Sequence, residues 1–399
     1  MDACKSKARG NPPTQLSTHP PIQSSIHPLL KLVLALFAGS SVNVATGAQA
    51  DWPIFRGDAA LSGRAAGSLP DALTRLWRFK TGDAVKSSAA IADGRVFVGS
   101  NDSKLYAIEL ATGKWLWDFK AEDAIEAAPC VVGGAVYVGA DDGFLYALDA
   151  ASGKLRWKYE TDGKIMGGAN AVPAPDGKGT WILVGSYDNK LHCVDAATGK
   201  RVWAYATDNY VNGAPAIADG KATFGGCDAI IHVVAIAEGK KLAGIQTGSY
   251  IAASAAMAGS RVFVGNYGGD FFCADVVEGK VVWKHAGDGA PFFASPAVAD
   301  DRVVVGCRDR CLYAFARDSG KVLWTFRTRG DVDSSPVIVG DKAVFGSVDG
   351  RLYMVRLADG KQVWSYEVGQ PLIASPAVAD GIVVIGSEDG SVYAFGAKR

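Results

Sequence analysis

The stretch Val136–Trp157, VYVGADDGFLYALDAASGKLRW, contains two apolar runs that alternate across a pleat, with an Asp-Asp-Gly turn between them. A second turn follows at Ser152-Gly153-Lys154, and a tryptophan stands four residues beyond its glycine. Period-two alternation bounded by such turns reads as successive antiparallel strands joined by hairpins. The same string returns as VVVGCRDRCLYAFARDSGKVLW at Val303–Trp324. Its first glycine occurs eight times, at Gly99, Gly139, Gly185, Gly225, Gly265, Gly306, Gly346 and Gly386, with spacings of 40, 46, 40, 40, 41, 40 and 40 residues. Such a period holds four strands of five or six residues with tight turns and is too short for helical crossovers. The expected fold is all-β, an eight-bladed β-propeller of four-stranded antiparallel blades.

In blade one the spacing predicts strand A over Ser87–Ile91, B over Arg95–Ser100, C over Leu105–Glu109 and D over Trp115–Phe119. Gly-Lys closes the C-to-D turn in seven copies, at Gly113, Gly153, Gly199, Gly239, Gly279, Gly320 and Gly360, where a left-handed residue is needed. Trp117, Trp157, Trp203, Trp283, Trp324 and Trp364 follow it at a fixed distance, with Ala243 in the fourth copy. Rings at one position on every outer strand read as packing against the neighbouring blade. The eighth copy ends after three strands, whereas Leu76-Trp77-Arg78-Phe79 is a strand D without its own A, B and C. An N-terminal strand completing the last blade therefore closes the ring and removes its open edges. Val172–Thr180 lengthens the A-to-B loop of blade three and carries no assigned role.

Charge balance excludes the partners that demand a basic face. The chain has 41 basic and 41 acidic side chains, and beyond residue 50 the balance is 37 to 40. Nucleic acid and anionic membrane are not indicated. Lys5, Lys7 and Arg9 precede the apolar run Leu29–Gly39, and Ala48-Gln49-Ala50 offers a small-x-small cleavage site. The expected organisation is a signal peptide over 1–50, with an uncleaved anchor as the alternative because the pre-sequence is long and its apolar run carries Lys31, then an N-terminal extension over 51–72 and the propeller over 73–399. Export to the periplasm or cell envelope follows, with no membrane span in the mature chain. No cysteine directly follows the apolar run, Cys4 lying before it, so no lipid tether is expected.

The repeat Ala-x-Asp-x-x-Thr-Gly-Lys-x-x-Trp, matched by Ala147, Asp149, Ser152, Gly153, Lys154 and Trp157, and again by Asp195, Thr198, Gly199, Lys200 and Trp203, resembles the tryptophan-docking repeat of the PQQ-like, quinoprotein-type propellers. That family includes dehydrogenases and the non-catalytic BamB-like propellers of outer-membrane β-barrel assembly. The lead-in Asp51–Gly57, DWPIFRG, is similar to the start of many secreted propellers of this type. The dehydrogenase resemblance implies a calcium-bound quinone in the axial funnel and a carboxylate base. The BamB-like resemblance implies a scaffold with no cofactor.

Other chemistry-bearing residues have plainer readings. No C-x-x-C and no His/Cys spacing suits zinc or haem. Cys307 and Cys311 flank the turn Arg308-Asp309-Arg310 and are read as either a cross-hairpin disulfide or two free thiols. His192 and His232 take the strand C position of Tyr106 and Tyr353 and read as packing residues. Asp141-Asp142-Gly143, Asp349-Gly350 and Glu388-Asp389-Gly390 read as hairpins rather than calcium loops.

The funnel mouth is where the copies differ. Aligned by the repeat, one ring is Lys86, Glu126, Met166, Asn212, Ala252, Phe293, Asp333 and Ile373, followed by the small ring Ser87, Ala127, Gly167, Gly213, Ala253, Ala294, Ser334 and Ala374. Crowding at the axis demands small residues in the second ring; the first is where a ligand would be read. Lys86, Glu126, Asn212, Phe293 and Asp333 are the candidate binding residues. Glu126 and Asn212 are residue types that the quinone's calcium site would use, but Tyr250-Ile251-Ala252-Ala253 supplies no acid and no vicinal cysteine pair exists. The resulting expectation is an exported, monomeric, non-catalytic scaffold for an envelope or secreted protein, with no catalytic residue, cofactor or metal. The alternatives are a PQQ- and calcium-dependent dehydrogenase, or a carbohydrate- or envelope-binding propeller using Tyr210, Tyr250, Phe292 and Phe293.

Overall fold

The computed structural model describes residues 51–398, so the expected signal peptide lies outside the described residues. Strands alone make up the regular structure there, in eight sheets. Blade one comprises Ala90–Ala92, Arg95–Gly99, Lys104–Glu109 and Trp115–Lys120, each antiparallel to the next. Its innermost strand is shorter than the spacing predicts. Near the axis Ser87 and Ser88 bond across to neighbouring blades instead of along their own ladder: Ser87 Oγ donates to the Ala127 carbonyl at 2.8 Å, and Ser88 Oγ accepts from the Ser375 N–H at 2.9 Å.

The last blade consists of Ala377–Ala379, Ile382–Ser387, Ser391–Gly396 and the N-terminal strand Thr74–Lys80. Trp77 pairs with Ala394 and Lys80 with Ser391, so the ring closes through its first outer strand.

Two sets of glycines explain the repeat. Each of the eight defining glycines lies under the apolar residue that opens the next blade. A Cβ at Gly99 would come within 2.3 Å of the Ile125 carbonyl oxygen, and one at Gly265 within 2.2 Å of the Phe292 Cβ. In six of the seven Gly-Lys turns the glycine seats an indole from the preceding blade, Gly279 facing Ala243 instead. A Cβ at Gly153 would lie 2.5 Å from the Trp117 ring, whose Nε1 donates to the Ala150 carbonyl at 3.2 Å. Trp77, Trp157, Trp203, Trp283 and Trp324 repeat this contact. Positive φ at these turns, 70° at Gly153, requires glycine a second time.

The segment before the first outer strand winds around the axis. Trp52 bridges Ile91 of blade one, and the Pro53 carbonyl accepts from the Val131 N–H of blade two at 2.7 Å. The Ala59 carbonyl accepts from Asn170 Nδ2 of blade three and the Ile217 N–H of blade four. Ala60, Ser62 and Gly63 carbonyls then receive Met257, Val298 and Ile338 of blades five, six and seven, and Arg64–Ala65 pairs parallel with Ile338–Val339. Fully buried, Arg56 donates to the carbonyls of Ser335 and Pro296 at 3.1 Å each and to that of Pro336. This ribbon supplies partners for inner-strand N–H groups that have no blade on that side.

Candidate functional site

The ribbon gives the axial well a floor. A cavity of about 180 Å³ is lined by Lys86, Glu126, Met166, Asn212, Ala252 and Phe293 at its rim and by Phe55 below. Beneath the rim runs a ring of Ser88, Ser254, Ser295, Ser335 and Ser375. The N–H groups of Ser254, Ser295, Ser335 and Ser375 each donate to the serine hydroxyl of the next blade, at 2.9–3.1 Å. Ala128, Gly168 and Ala214 interrupt the serine series on the other side. Phe55 accounts for the smallest, since a Cβ at Gly168 would stand 3.1 Å from the Phe55 Cβ. Crowding at the small ring is equally direct: a Cβ at Gly167 would lie 2.6 Å from the Asn212 carbonyl oxygen.

Four of the five candidate residues meet in this well, and every one of the five has a partner from within the protein. Lys86 and Glu126 form an ion pair across two blades at 2.9 Å, and Asn101 Nδ2 donates to the same Glu126 oxygen at 3.2 Å. This contact holds the Lys86 ammonium above its ordinary value. Asn212 Nδ2 donates to Cys227 Sγ at 2.9 Å, and burial pushes that thiol up. Asp333 lies outside the cavity lining, bound by both arms of Arg308 at 2.9 and 2.7 Å. The Arg308 guanidinium in turn covers the Phe293 ring at 3.6 Å from its centroid.

Asn101, Cys227 and Arg308 all belong to B-to-C turns, which the repeat presents as uniform hairpins, so reading strand A alone misses them. Phe55 and Arg56 were legible only as an unassigned lead-in.

Outside the well the same face carries aromatic rings on neighbouring blades. Tyr187 and Tyr210 stack with centroids 4.5 Å apart, Tyr250 and Tyr267 lie 5.0 Å apart, and Tyr267 meets Phe293 edge-on at 5.6 Å. Tyr210, Tyr250 and Tyr267 are 45%, 49% and 42% exposed. Phe292 differs from the sequence expectation. It is buried, because it is the blade-opening residue seated on Gly265 and so cannot join a stacking surface.

The turn residues are accounted for locally. Asp142 accepts from the Phe144 and Glu122 N–H groups and the Tyr146 hydroxyl, at 2.9, 3.0 and 2.7 Å. Tyr106, Tyr313, Tyr353 and Tyr393 each donate to the aspartate four residues earlier. His192 and His232 replace that tyrosine, are buried, and meet Asp188 and Asp228 at 2.9 and 2.8 Å. Cys307 and Cys311 are directly opposite in register and are free thiols.

A calcium-bound quinone does not fit this well. Small-molecule pockets span roughly 300–1,000 Å³, and the cavity is smaller. Lys86 and Asn101 both bind the Glu126 Oε1, and the Asn212 Oδ1, which has no protein partner, is a neutral oxygen. Among the described residues no three His, Cys, Asp or Glu side chains converge on a metal position.

Fold and site together define a closed, floored, eight-bladed propeller with a shallow polar well and an aromatic rim. The chain belongs to the family described as "Outer membrane protein assembly factor BamB", which matches residues 70–178, 168–242 and 227–399. It is similar in structure to BamB from Moraxella catarrhalis, with a TM-score of 0.68, 21% identity and coverage of 82% of this chain and 98% of that one. It also resembles the computationally designed Ika8 protein, at TM-score 0.70 and 19% identity over 83% of this chain and 98% of that one. Quinohemoprotein alcohol dehydrogenase from Comamonas testosteroni aligns with TM-score 0.73 and 17% identity, over 88% and 81% of the two chains. Identities this low speak for the fold alone. No curated protein matches the sequence. Among the described residues no helix is long and apolar enough to cross a membrane.

Proposed function

We propose that this propeller is an exported, non-catalytic binding protein that presents the aromatic side of its funnel mouth to a protein partner in the cell envelope. The observation that carries the reading is the rim itself. Tyr187, Tyr210, Tyr250, Tyr267 and Phe293 form ring contacts along blades three to six, with three tyrosines more than two-fifths exposed. Tyrosine and arginine are the side chains that dominate protein interfaces, because they bury a large area for few rotatable bonds. The ionisable rim residues contribute differently. Held in Lys86–Glu126 and Arg308–Asp333 pairs, they neutralise one another and rigidify the face. A reacting centre would need an uncommitted acid or base within reach of a substrate.

Photo-crosslinking tests the reading. A benzophenone amino acid at position 250, in mature protein exposed to native envelope extract, should give a discrete protein adduct. The same group in place of Lys200, on the C-to-D turns of the opposite face, should give none. Adducts from position 200 alone, or calcium- and quinone-dependent dye reduction by the purified protein, would overturn it.

A further inference from the structure

Blade six departs from the repeat in one respect that neither the well nor the aromatic rim uses. Its outer strand, Val322–Arg327, runs on into Thr328-Arg329. At the positions of Arg327 and Arg329 five of the other seven copies carry an acid: Glu122, Glu160 with Asp162, Asp208, Asp288 and Glu367. Arg310, in the adjoining turn, has φ of 70°, a left-handed conformation shared by Gly143, Gly269, Gly350 and Gly390 and, with short side chains, by Ser103, Asn189 and Ala229. Blade six thus carries a long, charged side chain where the other copies have glycine or a short residue.

These residues border a groove of about 510 Å³ between blades six and seven, lined by Phe326, Arg327, Arg329, Arg351, Tyr353 and Gln362 among others. Arg327 and Arg329 are exposed and form one wall, and Arg351, tied to Glu367, forms the other. Arg310, exposed as well, stands beside it, its carbonyl accepting from the Thr328 N–H at 2.9 Å. Among the described residues Arg310, Arg327 and Arg329 make no ion pair, in a chain whose described part is acidic overall. Arg308, two residues from Arg310 in the same turn, faces inward over Phe293. The turn therefore links the aromatic rim to the groove.

We propose that this groove docks an acidic segment of the partner protein, its carboxylates spread along Arg310, Arg327 and Arg329. Guanidinium groups recognise carboxylates through paired N–H donors. Their distribution over a turn, a strand end and a loop suits several carboxylates in series better than one compact anion. The proposal rests on the reading of this chain as a protein-binding propeller and names the chemistry of the bound segment.

A fluorescein-labelled octaglutamate peptide is the probe, read by anisotropy with full mature protein. It should bind saturably, weaken as salt rises, and lose about tenfold or more in affinity in Arg327→Glu/Arg329→Glu, as expected when an interfacial charge is reversed. Arg327→Gln/Arg329→Gln, which only removes charge, should show a smaller loss at an unchanged melting temperature. The Tyr210→Ala/Tyr250→Ala variant should bind the peptide as the natural protein does. Unchanged binding in both arginine variants, or displacement by millimolar inorganic phosphate as effective as by unlabelled peptide, would overturn the groove assignment. Peptide binding that survives while position 250 yields no adduct would uphold the groove and sink the rim reading instead.

Discussion

Ala243 faces Gly279 across the seam between blades four and five, and a Cβ on Gly279 would meet nothing nearer than the Ala243 methyl group, at 3.6 Å. At six other seams the corresponding glycine lies under an indole, with ring atoms 2.5–2.7 Å from the same position. The seat is therefore built but unfilled. Ala243→Trp should occupy it and give Nε1 the Val276 carbonyl as acceptor, stabilising the ring by about 1–2 kcal/mol. Thermal unfolding should move up by a few degrees. The converse change, Trp203→Ala, removes a filled seat over Gly239 and should cost about 3–5 kcal/mol. A lower midpoint for Ala243→Trp would mean that the seam has closed over the seat.

Arg56 ties the N-terminal ribbon to three carbonyls from blades six and seven. Burial pulls its guanidinium down to about 9, against the pull of Asp58. The carbonyls are what compensate the buried charge, and removing the side chain leaves them without donors. Arg56→Ala should cost about 2–3 kcal/mol, the range for a hydrogen-bonded charged group. Urea denaturation should show a lower midpoint with an unchanged slope. A loss confined to the ribbon, with the ring's transition untouched, would show that the ribbon is not part of the cooperative unit.

Legibility followed the repeat. The eight blades, the Trp77 closure and the small axial ring could be read because each residue recurs at a fixed period, and the packing that explains it recurs too. Phe292 reads as a stacking residue only through its neighbour Phe293 on the rim; alignment with Ile125 and Ile251, both seated on a defining glycine, identifies it as core. The ribbon Trp52–Ala65 has no repeat, so its course past seven blades left no periodic trace. Contacts between copies were also hidden. Arg308 and Asp333 lie 25 residues apart in different blades, and only the ring geometry brings them to 2.7 Å.

His232 makes folding stability sensitive to acid. Burial holds its imidazole below the ordinary value of 6.5, with Asp228 opposing. The unfolded chain therefore takes up the proton first, and stability present above about pH 6.5 is lost as the pH falls toward the folded-state value. His232→Tyr would put a hydroxyl where Tyr353 donates to Asp349 at 2.7 Å in blade seven. The melting temperature of that variant should fall less steeply below pH 6.5 than that of the natural protein. An identical slope would place the acid sensitivity elsewhere.

Lys86 and Glu126 are both partly exposed at the rim of the well, so their pair contributes less than about 1 kcal/mol. Glu126→Gln should leave the melting temperature nearly unchanged. Pyrroloquinoline quinone with calcium should show no saturable heat by titration calorimetry and should produce no dye reduction with alcohols or aldose sugars. The reason is spatial before it is chemical: the well, floored by Phe55, holds about 180 Å³, less than the roughly 300–1,000 Å³ of small-molecule pockets. Phe55→Ala deepens the well without touching the rim pair, so gain of quinone affinity in that variant alone would confirm that the floor excludes the ligand. Stoichiometric quinone binding by the natural protein, lost in Glu126→Gln, would show instead that the rim pair opens to receive it, and the non-catalytic reading would have to be given up.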